Sequence, residues 1–324
     1  MNLVDRTVFN TFIGVDLGGG KGKNTAVAVL RRGAEGVVVE QYDTGDGHPW
    51  FDDRLIPFLR DQAGDAVVAI DAPLSLTACV RCREPVCPGM RECVDPTVVW
   101  FRQHEERRQL QPGEGPGHGP GHSPSNGHSL GSKGAKGSSN GHSLTAGVNG
   151  HGGHGINGNG TNGKKPTYTP YTQRLTEVLL HEDHGILPRE TLGQGMGPLT
   201  ARAAHLTRAL APLYRLNHNL IEVYPKATIW KLLGEETART YKRHHAQAAV
   251  RLAKILRELP SLTFGPGQWR ERGVHNDHMF DAVICAYTAY LWARDDWQLP
   301  VEGRDVFAVD GWIWTPPEGG MGPG

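Results

Sequence analysis

FIGVDLGGGKGKNTAVAVL, residues 12–30, decides how this chain folds. An apolar run ends on one aspartate, Asp16, and a glycine-rich turn over 18–22 follows, with Lys21 and Lys23 in and beside it. A second apolar run, TAVAVLR, starts at Thr25. Two short β-branched runs on either side of a glycine cluster predict strand, turn, strand. A carboxylate at the end of a buried strand, next to backbone amides and positive charge, is the feature that asks for a function.

Working outward, GVVVEQYD predicts a third strand. WFDDRLIPFLRDQ carries Phe51, Leu55, Ile56 and Leu59 at helical spacing. AVVAIDAPL is a short apolar strand ending in Asp71, and Pro73 stops its ladder. YTQRLTEVLLHE and PLTARAAHLTRALAPLYRL are helical, and NLIEVYPKA is a strand bearing Glu222 and closed by Pro225. ATIWKLLG and HHAQAAVRLAKILREL are helices, and DHMFDAVICAYTAYLWARD is a long final one. Trp312 and Trp314 in DGWIWTP predict a closing strand that packs. Three antiparallel strands, a helix, then strands alternating with helices predict an α/β fold. Its expected form is a mixed five-stranded sheet with helices on both faces, which is the order of the RNase H-like fold.

Lys+Arg and Asp+Glu both number 34, so no net charge draws the chain to nucleic acid or membrane. The first ten residues, MNLVDRTVFN, have an early acid and no long apolar core, and no stretch reaches the roughly 20 apolar residues of a membrane span. A soluble cytoplasmic protein is expected. Residues 111–165 hold almost nothing apolar, repeat SNGHSL at 125–130 and 139–144, and carry six histidines. Such a segment cannot offset its ordering entropy, so a disordered insertion is expected, with weak metal capture as the other reading. The expected organisation is a discontinuous domain over 1–110 and 166–324, with a cysteine-rich lobe at 76–100 inside it.

Asp16 ends the first strand, Asp71 ends the fourth, Glu222 lies on the fifth and Asp281 sits on the final helix. In an open α/β sheet, sites gather at the carboxyl ends of strands, so these four acids can converge. His278 and Asp281 share a helical face with Asp277, which doubles as a helix-start acid. The matching pieces GVDLGGGKGKNTAVAVL, VAIDAPLSL, PYTQRLTEVLL, IEVYPKATIWKLLG and HMFDAVICAYTA resemble the bacterial family catalogued as domain of unknown function 429, described as a predicted RNase H-fold nuclease. His278-Met-Phe-Asp281-Ala282 is also similar to the His-x-x-Asp-Ala helix of the RuvC Holliday-junction resolvase. That resemblance implies a nuclease acting on DNA or RNA. It would have a Mg²⁺ or Mn²⁺ site on Asp16, Asp71 and Asp281, with Glu222 a ligand or an orienter and His278 a general acid or water-mediated ligand.

The turn supports two readings. Gly19, Gly20, Lys21 and Lys23 can meet a phosphate, or the glycines merely supply positive φ angles to a hairpin. GVDLGGGK also resembles the first phosphate loop of ROK-type sugar kinases, so an ATP-dependent phosphotransferase is one alternative. A non-catalytic nucleic-acid-binding or protein-binding module is the other. Cys79, Cys82, Cys87 and Cys93 have the spacing C-x2-C-x4-C-x5-C. Four thiols this dense predict one structural metal, Zn²⁺ before an iron–sulfur cluster. Cys285 reads as a small core residue, the basic YKRHH at 241–245 as a strand clamp or a helix start, and Arg174 and Glu177 as neighbours of the site. The oligomeric state and the choice between DNA and RNA stay open.

Overall fold

Alternation decides which way each strand faces. In strand β1 (Thr11–Asp16), Phe12 lies in one buried cluster, and Ile13 and Val15 lie in the other. The same split runs through β2 (Ala26–Arg32), where Ala26, Ala28 and Leu30 oppose Val27. In β4 (Ala66–Asp71), Val67 and Ala69 oppose Ala66, Val68 and Ile70. The period of two therefore gives the sheet two apolar faces, each needing helices to cover it. The computed structural model describes residues 6–19, 24–45, 47–110, 168–243, 245–265, 276–301 and 303–317. The chain divides into residues 1–111 with 167–324 and residues 112–166. The second unit and the whole of the expected 111–165 insertion lie outside the described residues.

β1 pairs antiparallel with β2, and β2 antiparallel with β3 (Val37–Asp43). β1 pairs parallel with β4, and β4 parallel with β5 (Leu220–Val223). Two short strands extend the edges, β6 (Leu262–Phe264) on β3 and β7 (Ile313–Trp314) on β5. The order is β6-β3-β2-β1-β4-β5-β7, so the sheet has seven strands where the sequence predicts five. β7 is the expected closing strand, and Trp314 packs edge-on against Trp292 at 5.7 Å. β6 has three residues, too few for its own periodicity to announce it.

The helices are α1 (Asp52–Asp61), α2 (Ala78–Arg81), α3 (Pro96–Leu110), α4 (Leu175–His184) and α5 (Gly197–Leu210). Then come α6 (Pro225–Leu233), α7 (Glu235–Thr240), α8 (His245–Glu258), α9 (Asp277–Arg294) and α10 (Arg304–Asp310). Leu55 and Leu59 of α1 and Ala203, Leu206 and Leu210 of α5 cover the Ile13 face. Phe51, expected on the apolar stripe of α1, is instead the residue before it and lies exposed. No helix among the described residues is long and apolar enough to cross a membrane.

α9 covers the Phe12 face and is buried at every residue from Met279 to Ala293. Asn276 caps it, its side chain accepting from the backbone N–H of His278 and Met279. It lies so close to β1 that a Cβ on Gly14 would sit 1.9 Å from the Ala282 carbonyl oxygen and 2.4 Å from the Ala286 nitrogen. Backbone cannot yield as a flexible side chain does. Gly14→Ala is therefore expected to cost about 1–3 kcal/mol or more by overpacking. Gly33→Ala, whose nearest neighbour would be a side-chain methyl at 3.4 Å, should stay within about 0.5 kcal/mol of the parent. Urea unfolding of the two variants checks the contrast.

Candidate functional site

The register puts Asp16 opposite Asp71 at the ends of adjacent parallel strands. Both share the parity of Phe12 and Val67, so both face α9. Four residues after Asp277, α9 presents Asp281 to the same place, and one turn earlier it presents His278. Asp16, Asp71, Lys242, His278 and Asp281 line one cleft. His278 Nδ1 stands 2.6 Å from Asp16 Oδ2. A carboxylate only accepts, so the imidazole donates through Nδ1 and leaves Nε2 for the cleft.

The cleft's electrostatics follow from crowding. Burial raises the Asp71 carboxyl well above the usual range, and the charges of Asp16 and Asp281 add to it. Burial also pushes Asp281 up to about 7, with Lys242 opposing and Asp16 assisting. The Lys242 ammonium bonds directly to Asp281 Oδ2 yet does not bring that carboxyl back to its ordinary value. Asp281 is 3% exposed and Lys242 42%, so the lysine keeps water for company while the carboxylate has lost it. Burial alone would lower Lys242, but Asp281 outweighs it and the ammonium is held above its usual value. The hydrogen bond to Asp16 likewise raises His278.

Glu222 lines the same cleft but reaches it from the other face of its strand. Ile221 and Val223 face the α9 side, so Glu222 has the opposite parity. Arg174, fully buried, donates Nη1 and Nη2 to its two oxygens at 2.7 and 2.6 Å, and the Leu74 backbone N–H donates at 2.9 Å. Burial would lower the Arg174 guanidinium, yet Glu222 and Glu177 together hold it above its usual value. Both Glu222 oxygens accept from Arg174, and the bond to Leu74 ties Glu222 to the loop three residues past Asp71. Arg174 also bonds Glu177 through Nε at 2.9 Å. Asp310 accepts from the Leu175 N–H at 2.7 Å and from Arg81 at 2.6 Å.

The glycine turn is described only at its ends; Gly20, Lys21 and Lys23 lie outside the described residues. A Cβ on Gly19 would lie 3.0–3.2 Å from Leu199 at the start of α5, so this glycine permits close packing. Arg202 of α5 ties the base of the turn down, donating to the Gly18 carbonyl and to Thr25 Oγ1. Lys242 sits in the turn between α7 and α8, not at a helix start. Cys285 is buried against Gly14, in the core as expected. Cys79, Cys82 and Cys87 are exposed, Cys93 is half-buried, and all are free thiols. Burial raises the Cys79 thiol, and the charges of Cys93, Cys87 and Cys82 add to it. Among the described residues, no three His, Cys, Asp or Glu side chains stand ready to hold a metal ion.

A family model described as Protein of unknown function (DUF429) matches residues 180–304. The match takes in Glu222, Lys242, His278 and Asp281 and leaves Asp16 and Asp71 outside. No curated protein and no solved structure matches the chain.

The raised Asp281 carboxyl has a consequence for stability. The folded chain holds this proton more tightly than the unfolded chain, whose aspartates titrate near about 3.9. Ionising Asp281 therefore weakens the fold progressively from about pH 4 up to about 7, and by a constant amount above that. With chelator present, Asp281→Asn should raise the melting temperature at pH 8 by more than at pH 5. Thermal melts across that range check the sign.

Proposed function

We propose that this protein is a divalent-metal-dependent phosphodiesterase acting on nucleic acid, built on an RNase H-like fold. The observation that carries this reading is the meeting of Asp16, Asp71 and Asp281 in one cleft at the carboxyl ends of neighbouring parallel strands. Strand order supports the fold assignment: an antiparallel β1–β2–β3 unit is followed by parallel β4 and β5 across α1 and α4–α5.

The donor chemistry fits Mg²⁺ or Mn²⁺. The three acids offer hard oxygens, and burial, with their mutual repulsion added, raises Asp71 and Asp281. Lys242 and His278 now stand where positive charge is wanted, and both are more than two-fifths exposed, so both can swing away. Asp16, Asp71 and Asp281 would hold the ions, which when bound supply Lewis acidity to a phosphodiester and lower the pKa of an attacking water. His278, its proton favoured by Asp16, is placed to hand a proton from Nε2 to a departing oxygen. Lys242, released from Asp281, offers a mobile charge to the phosphate. The Arg174–Glu222 pair keeps the Leu74 loop, and with it the end of β4, in register.

A screen of labelled DNA and RNA, as single strands, duplexes and junctions, tests this with Mg²⁺, Mn²⁺ or chelator. Cleavage should need metal, fall by more than about 100-fold in Asp16→Asn, and fall by about 10²–10⁴-fold in His278→Ala. No cleavage of any substrate, or cleavage indifferent to chelator and to Asp16→Asn, would refute the reading.

A further inference from the structure

Residues 79–96 contain no buried side chain. Val80, Val86 and Val94 are 49%, 79% and 88% exposed. Ordering eighteen residues costs conformational entropy that burial of apolar surface normally offsets, and this segment holds no fully buried side chain. Its turns are nevertheless specific. Cys79 and Cys82 flank the single turn of α2, where the Cys82 N–H donates to the Ala78 carbonyl at 3.0 Å. Gly89, at φ 85°, turns the chain so that the Cys93 N–H reaches the Gly89 carbonyl at 3.0 Å. Arg102 of α3 then holds the second turn by donating to the carbonyls of Met90, Arg91 and Cys93. The first turn thus presents Cys79 and Cys82 and the second Cys93, with Cys87 just before it.

We propose that Cys79, Cys82, Cys87 and Cys93 bind one Zn²⁺ as a closed, structural tetrathiolate site. Four thiols at C-x2-C-x4-C-x5-C match the tetrahedral sulfur set that Zn²⁺ takes. As placed, no three of them form a ligating group, so binding draws the second turn onto the first. Residues 83–89 between them are exposed throughout, and no core side chain has to move for that closure. Each cysteine gives up its thiol proton to solvent as its Zn–S bond forms, and no oxidation state changes. The finished site carries two negative charges, and Arg81, Arg83, Arg91 and Arg102 surround the four cysteines in sequence to balance them. Closing the site fixes Arg81, which lies between Cys79 and Cys82 and bonds Asp310. This site shares no residue with the acidic cleft, and the inference stands or falls apart from the nuclease reading.

Elemental analysis of the full-length protein, purified with reductant and without chelator, tests it. About one zinc per chain is expected, falling to near zero in Cys82→Ser and in Cys87→Ser and unchanged in Cys285→Ala and Asp281→Asn. Absence of zinc, iron in its place, or zinc lost with Asp281→Asn and kept in the cysteine variants would overturn the proposal. Cys87 is exposed, so its variant should still melt cooperatively. If that variant fails to fold, Co²⁺ titration of the stripped parent protein decides. An intense thiolate-to-cobalt band displaced by one equivalent of Zn²⁺ supports the site, and a weak octahedral spectrum overturns it.

Discussion

The approach of α9 to β1 at Gly14 is the contact on which the rest of the molecule depends. With no side chain at that position, a helix buried along fifteen residues can lie directly on the central strand. That closeness brings the first turn of α9 over the ends of β1 and β4. His278 and Asp281 reach Asp16 and Asp71 only because of it. One missing methyl group therefore sets both the core and the cleft, and packing rather than attraction brings the acids together, since acids left to themselves would separate.

Two buried charge clusters meet at the sheet's end, where both line the cleft, and they are bonded differently. Around Arg174, hydrogen bonds are plentiful: Glu222 and Glu177 are each met by guanidinium N–H groups, and the Leu74 and Thr191 amides add more. Removing one partner of such a buried set costs about 3–5 kcal/mol, because the survivors have no water to turn to. Around Asp281 the positive partners are half-exposed side chains rather than a buried guanidinium. Three carboxylates share one lysine and one histidine, and an exposed ion pair contributes only about 0–1 kcal/mol. Burial wins there, and the Asp71 and Asp281 carboxyls are raised. The first cluster gives the cleft a rigid wall, and the second leaves it short of positive charge.

Much of this is legible in the sequence, and the rest is not for physical reasons. The apolar runs before Asp16 and Asp71 mark both acids as strand ends, and the parallel register of the two strands then sets them side by side. LIEV at 220–223 is buried on both faces, so the side from which Glu222 reaches the cleft follows from strand pairing and not from the apolar pattern. Lys242 carries no such signal. It lies in a turn between two helices, and only the folding of residues 225–258 back over α9 brings it to Asp281. Asp310 is likewise paired across 229 residues with Arg81, a distance no local pattern encodes. The edge strands β6 and β7 exist through pairing with β3 and β5 rather than through any preference of their own two or three residues.

The central claim is that the cleft between β1, β4 and α9 is made for divalent cations, with Lys242 and His278 standing in for them. A crystal of the full-length protein soaked in Mn²⁺, with diffraction measured at the manganese edge, tests it most directly. The account predicts anomalous density among Asp16, Asp71 and Asp281, with Lys242 turned away from Asp281. Density only elsewhere, or none with Lys242 still bonded to Asp281, would contradict it.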